Sequence, residues 1–112
     1  HATVCAAALK NIEIMKREQL VQRAKPVGQR IEAGLAALSL DGTLTGYRGV
    51  GAIWAGKLPD SLDATVVRDA MITKGVIARS IPGVIAFCPP LVITDAQVDT
   101  MLDVFASVVQ SH

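Results

Sequence analysis

The chain has 112 residues, enough for one domain with a modest core. Its 11 basic and 10 acidic side chains give a formal net charge of +1, which argues against nucleic-acid binding because that function needs clustered basic charge. Hydrophobic residues make up 51% of the chain, yet there is no run of about 18 apolar residues that could cross a membrane. We therefore expect another protein surface to cover part of this apolar surface.

The start of the chain has no initiating methionine and no basic segment of the kind that opens a signal peptide. We expect a piece of a longer protein, located in the cytoplasm. Cys5 and Cys88 lie far apart in apolar stretches, which predicts two buried thiols and no disulfide. His1 and His112 lie at opposite ends, so no metal site is predicted.

Two helices are predicted at the start of the chain. Residues 2–18 contain no glycine or proline, and the first half of this segment is apolar on nearly every side. Such a helix should be buried against protein that this chain lacks. Residues 19–38 form a second helix with a bend near Pro26, where a backbone donor is missing. Its apolar face consists of Leu20, Val27, Ile31, Leu35 and Leu38.

Two pairs of strands are predicted next, and each pair is followed by a helix. Residues 43–48 and 52–58 are predicted strands around a glycine-rich bend, and a helix over 63–74 ends at Gly75. Further strands over 76–80 and 84–87 flank a Pro-Gly turn, and a Thr-x-x-Gln capping box at Thr94 begins the last helix. We expect an α+β fold, a two-layer sandwich whose three to four mostly antiparallel strands carry helices on one face.

Arg79 is the candidate binding residue. A lone guanidinium inside an apolar β-hairpin suits the binding of a carboxylate, although an arginine near a strand end is commonly a surface ion-pair partner. Arg48 is expected to brace the glycine bend or to pair with a carboxylate, and Trp54 and Tyr47 are expected in the core. The chain has no phosphate-binding glycine loop with a lysine and no Ser/His/Asp set, so no catalytic residue is predicted.

Four segments resemble motifs of one enzyme family. Residues 1–9 are similar to Gly-His-Pro-x-x-Cys-Ala-Ala-Ala-Leu without its first glycine, and residues 47–51 are similar to Val-Arg-Gly-x-Gly. Residues 75–79 are similar to Gly-x-x-x-Arg, and residues 89–94 to Pro-Pro-Leu-x-Ile/Met-Thr. In order and spacing, essentially end to end, the chain resembles the C-terminal part of class III pyridoxal-phosphate aminotransferases, the group of the ω-amino-acid and amine:pyruvate transaminases.

The resemblance implies the small C-terminal domain of a fold-type I enzyme, residues 1–112, with a helical entry segment (1–38) and an α+β sandwich (43–112). The large domain, with the Schiff-base lysine and most of the contacts to pyridoxal 5'-phosphate, would precede it, so this chain alone is not expected to be catalytic or to bind the cofactor. Arg79 would bind the substrate carboxylate. The full protein would be a homodimer that moves an amino group between a primary amine or ω-amino acid and a keto acid such as pyruvate.

Two other hypotheses stay open on the residues alone. One is a freestanding α+β module that holds a small acidic ligand at Arg79 without catalysis. The other is an inactive remnant that dimerises through its exposed first helix. The reading frame upstream of His1 separates them, because only the enzyme hypothesis requires a large domain with a cofactor lysine there.

Overall fold

The computed structural model describes residues 1–111, and its order of helices and strands is the predicted one. The prediction that the chain has no metal site was based on His1 and His112, and His112 lies outside these residues. None of the helices over 1–111 is long and apolar enough to span a membrane. The elements are α1 (Ala2–Arg17), α2 (Leu20–Leu40), β1 (Gly46–Val50), β2 (Ile53–Lys57), α3 (Ala64–Thr73), β3 (Arg79–Ile81), β4 (Val84–Phe87) and α4 (Asp95–Gln110).

The four strands form one sheet in the order β1-β2-β4-β3, and every neighbouring pair is antiparallel. Side chains alternate between the two faces of a strand, and the register places Trp54 opposite Phe87 and Gly56 opposite Ile85. All four of these residues are buried, and α2, α3 and α4 cover them. The predicted two-layer α+β sandwich, with helices on one face of an antiparallel sheet, is confirmed.

The core lies between this covered face and the helices. The rings of Phe87 in β4 and Phe105 in α4 meet edge to face, with centroids 5.1 Å apart. Gly56 lets the Phe105 ring approach β2, because a Cβ on Gly56 would lie only 3.3 Å from it. The predicted apolar face of α2 is buried, apart from the partly exposed Leu20, and the apolar face of α4 is buried as well. The buried hydrophobic residues of these two helices are Val27, Ile31, Leu35, Leu38, Val98, Met101, Leu102, Phe105, Val108 and Val109.

The predicted helix ends are also present. Thr94 and Gln97 form a reciprocal capping box at the start of α4, which satisfies two backbone donors that the helix leaves free. Asp63 accepts hydrogen bonds from the backbone N–H groups of Thr65 and Val66 at the start of α3. Gly75 follows α3 with φ +85°, a conformation that glycine adopts without a side-chain clash.

The expected burial of the two thiols and the expected bounds of strands β1 and β3 are wrong. Cys5 and Cys88 are exposed free thiols, because α1 has no buried residue and packs only on α2 within the described chain, while Cys88 lies just beyond the end of β4. Strand β3 begins at Arg79, three residues after the predicted start, because residues 76–78 make no ladder with β4. Asp99 pairs with an arginine of another helix.

That pair joins α2 to α4. Arg30 donates from Nε and Nη2 to the two carboxylate oxygens of Asp99, both at 2.7 Å. Arg23 donates to the Ile93 carbonyl at 2.6 Å and lies 3.6 Å from Asp95. The hydrogen bond from Arg30 and its positive charge hold the pKa of Asp99 below its usual value. These contacts fix the start of α4 against α2.

Because the folded-state pKa of Asp99 is depressed, its contribution to stability is present above the unfolded-state pKa of about 3.9 and is lost as the pH falls through the folded-state value. We expect the urea midpoint to decrease on acidification from about pH 6 towards pH 3. Asp99→Asn should remove part of this decrease. Asp103→Asn, an exposed carboxylate on the same helix, is the matched control and should leave that part in place. Identical pH profiles for wild type and Asp99→Asn would contradict the argument.

A second contact sets how closely α2 approaches the sheet. A Cβ on Gly28 would overlap the carbonyl oxygen of Gly51 and come within 3.1 Å of Trp54 Nε1. That same indole N–H donates to the Gly51 carbonyl at 2.9 Å. Gly28 therefore allows the helix to lie on the turn between β1 and β2.

Gly28→Ala should destabilise the domain despite the better helix propensity of alanine, because overpacking costs about 1–3 kcal/mol. Gly46→Ala is the control, since no heavy atom lies within 4 Å of a Cβ at that position, and its effect should stay within about 0.5 kcal/mol. Urea denaturation measures both free energies of unfolding. Equal stabilities of the two variants would show that α2 can move away from the turn at little cost.

Candidate functional site

The uncovered face of the sheet, called here the open face, carries the side chains that alternate with the core residues. Val50 is 79% exposed, Ile53 58% and Ile81 42%. Three basic residues lie among these apolar ones, and none of the four strands contains an aspartate or a glutamate. The open face consists of Arg48, Val50, Ile53, Ala55, Lys57, Arg79, Ile81, Val84 and Ala86.

Arg79 is the first residue of the edge strand β3 and lies opposite Ala86 of β4. Its side chain is exposed and makes no hydrogen bond or ion pair with any residue from 1 to 111. The guanidinium therefore keeps all five N–H donors available for a planar anion such as a carboxylate. Arg79 was also considered as a surface ion-pair partner, but its side chain has no acidic partner within the described chain. Its carboxylate-binding role stays a prediction.

Arg48 was expected to brace the glycine bend or to pair with a carboxylate, and the structure shows neither within the described residues. Strand β1 continues past Arg48 to Val50, and the turn lies further on, at Gly51 and Ala52. Arg48 thus sits inside the strand, opposite Ala55, and is exposed on the open face. A strand predicted to run to Val50 would have placed Arg48 on this face from the sequence alone.

The two aromatic residues of the first hairpin have different environments. Trp54 is buried, 9% exposed, as expected. Tyr47 is 40% exposed, so its placement in the core was wrong. Tyr47 lies on β1, an edge strand, and its ring meets that of Trp54 at a centroid distance of 6.2 Å. Its ring therefore shields one side of the tryptophan and leaves its own other side to solvent.

Two shallow cavities lie on the open face, and Arg48 borders both. One of about 460 Å³ has mainly apolar walls that include Val50, Ile53 and Ile81, with Ala55 and Ala86 as its floor. The other, of about 390 Å³, extends from Arg48 towards Lys57 and Val84. Arg79 lies beside the larger cavity, two residues before Ile81 in sequence and opposite Ala86. The open face is thus a cationic surface with an apolar floor.

The open face does not fit a site for pyridoxal 5'-phosphate. Such a site needs a lysine for the cofactor aldehyde together with an acidic or other partner for the pyridine nitrogen. Lys57 projects from the open face beside Arg48, but the strands that form this face offer no carboxylate. What the open face can do chemically is bind anions and cover apolar groups.

Known proteins with a similar sequence are aminotransferases. The chain is 33% identical over 106 residues to an acetylornithine aminotransferase of Gloeobacter violaceus, which covers 93% of the chain and 26% of that protein. It is 30% identical over 114 residues to the 5-aminovalerate aminotransferase DavT of Pseudomonas aeruginosa, with 91% and 27% covered. The chain thus spans about a quarter of the length of the curated relatives it matches.

Solved structures give the same result for the fold. The ω-transaminase of Pseudomonas jessenii in complex with PMP matches with a TM-score of 0.87 at 27% identity, over 95% of this chain and 26% of that one. A transaminase with L-Ala also matches with a TM-score of 0.87, at 29% identity and with 95% and 27% covered. The model of the family described as aminotransferase class-III matches residues 2–109. From this match over nearly its whole length, the chain belongs to the class III aminotransferase family.

Proposed function

We propose that this chain is the C-terminal small domain of a pyridoxal-phosphate-dependent class III aminotransferase and that it binds the substrate carboxylate through Arg79. The observation that carries the proposal is the exposed Arg79 guanidinium, which has no acidic partner among residues 1–111. The complete enzyme would transfer an amino group between a primary amine or ω-amino acid and a keto acid such as pyruvate. The names of the two curated relatives, for acetylornithine and 5-aminovalerate, support an amino-acid donor.

In this proposal the covalent chemistry belongs to a large domain outside the chain. Pyridoxal 5'-phosphate, when bound there, would supply the electron sink for moving the amino group. The coverage supports this division, because the relatives are about four times as long as the matched segment. The contribution of the present residues is to hold and orient the carboxylate end of the substrate, with a planar fork of donors that an amine without a carboxylate does not engage.

Helix α1 supports a packing role next to that domain. Val4 is 66% exposed, Leu9 70% and Ile12 48%, and α1 buries no residue within the described chain. Contiguous apolar surface of this kind is uncommon on a protein that works alone. The large domain and the second subunit of a homodimer are the partners we propose for it.

Arg79→Ala should lower kcat/KM of the complete enzyme for alanine or pyruvate by about ten- to a hundredfold, because hydrogen bonds to charged groups contribute about 1.5–3 kcal/mol. The half-reaction with a neutral arylalkylamine should fall only a few-fold, since it gains nothing from the guanidinium. Single-turnover kinetics separates the two half-reactions. Lys57→Ala removes a charge from the same face and is the control. Equal losses in both half-reactions for Arg79→Ala would mean that Arg79 supports the fold and not the substrate.

The isolated 112-residue chain should self-associate at micromolar concentration through the exposed face of α1. Sedimentation velocity should show dimers or larger species. Leu9→Lys should shift the distribution towards monomer, whereas Asn11→Lys, which adds the same charge to the same helix without removing an apolar side chain, should not. A monomeric wild-type chain would contradict the proposed packing role of α1.

A further inference from the structure

The arginines of the chain divide into two groups. Four of the six lie close to an acidic side chain: Arg17–Glu18, Arg30–Asp99 and Arg68–Asp69 are each 2.7 Å apart, and Arg23–Asp95 are 3.6 Å apart. The side chains of the two others, Arg48 and Arg79, make no ion pair or hydrogen bond within residues 1–111. Both of these are exposed on the open face.

The strand register puts these two arginines in one row across the sheet. Arg48 lies opposite Ala55, Ala55 opposite Ala86, and Ala86 opposite Arg79. Three strand spacings of roughly 4.8 Å place the two arginine Cα atoms about 14 Å apart. Both side chains are long and can lean inward along the row, so the gap between the two guanidinium groups can be much shorter than the gap between the Cα atoms.

The space between the two arginines is open and apolar. The two residues in the middle of the row are alanines, whose short side chains leave room above the sheet. Val50 and Ile53 border the row on one side, and the row on the other side contains Lys57, Val84 and Ile81. The four strands contain no carboxylate that could neutralise either guanidinium. This arrangement offers a cation at each end of a short apolar trough.

We propose that Arg48 is a second carboxylate-binding residue and that Arg48 and Arg79 together hold a short aliphatic dicarboxylate across Ala55 and Ala86. The inference rests on the proposed function of Arg79 and extends it to the far end of the bound molecule. Each carboxylate meets a planar fork of donors, and the methylene groups lie over the two alanines. A monocarboxylate would leave one guanidinium without a partner. A second copy of the open face is a poor occupant because its charge has the same sign.

The test uses the whole 112-residue chain and two ligands with the same number of carbons, glutarate and valerate. Titration at low ionic strength, followed by the arginine Nε–Hε signals in ¹⁵N NMR spectra, gives a dissociation constant for each ligand. Glutarate should bind up to about fivefold more tightly than valerate, the upper limit expected for one additional exposed ion pair. The Nε–Hε signals of both Arg48 and Arg79 should move with glutarate.

Three variants locate the effect. Arg48→Gln should remove the preference for glutarate over valerate, because both ligands then meet only the Arg79 guanidinium. Lys57→Gln removes one charge from the neighbouring row of the same face and should keep most of the preference for glutarate. Ala55→Leu fills the trough while leaving both arginines in place, and it should weaken glutarate more than valerate. Unchanged amide spectra outside the open face confirm that each variant is folded.

The outcomes separate this inference from the function proposed for Arg79. If Arg79→Gln weakens both ligands while Arg48→Gln changes neither, Arg79 binds carboxylates and the second site is wrong. If Arg79→Gln leaves valerate binding unchanged, the carboxylate role of Arg79 itself is wrong. Equal affinities of the wild-type chain for glutarate and valerate, or a loss of preference in Lys57→Gln as large as in Arg48→Gln, would also overturn the two-arginine site.

Discussion

The burial of one face of the sheet under α2, α3 and α4 is the constraint on which the rest of the structure depends. Strand side chains alternate, so covering Trp54, Gly56, Ile85 and Phe87 also determines which residues point the other way. A slip of one residue in the register would exchange the two sets and bury charge. The hydrophobic core therefore determines that Arg79 lies on the open face. No ion pair of Arg79 with an acidic side chain within residues 1–111 is needed for this placement.

The charged residues follow the same division. On the helical side, the bidentate pair between Arg30 and Asp99 and the contacts of Arg23 tie α4 to α2. Exposed pairs of this kind contribute little energy singly, but they fix the orientation of two helices that the core already holds together. On the open face no such pair forms within the described chain, and the cations stay available to an outside anion. An arginine that forms an internal ion pair cannot offer the same donors to another molecule.

Most of the fold could be predicted because its signals are local. The capping box at Thr94, the glycine after α3 and the apolar spacing of α4 each depend on residues within one or two turns of chain. The exposure of Cys5 and Tyr47 could not be predicted from composition, because it depends on which surfaces are covered by something else. The shared row of Arg48 and Arg79 depends on the pairing of all four strands. The two hairpins that form the sheet are separated in sequence by α3. Propensity and periodicity do not carry that information.

The edge position of Arg79 suits the carboxylate-binding role proposed for it. β3 has only three residues and pairs with one neighbour, so a change in the Arg79 side chain disturbs no buried contact. The core beneath it includes Ile85 and Phe87, which are fully covered, so the Arg79 side chain can change its rotamer without disturbing that core. A binding group that combines a rigid base with a mobile tip can accept a carboxylate or withdraw from a molecule that has none. In the proposed enzyme, this separates the recognition of the substrate from the covalent step, which would depend on groups in a different domain.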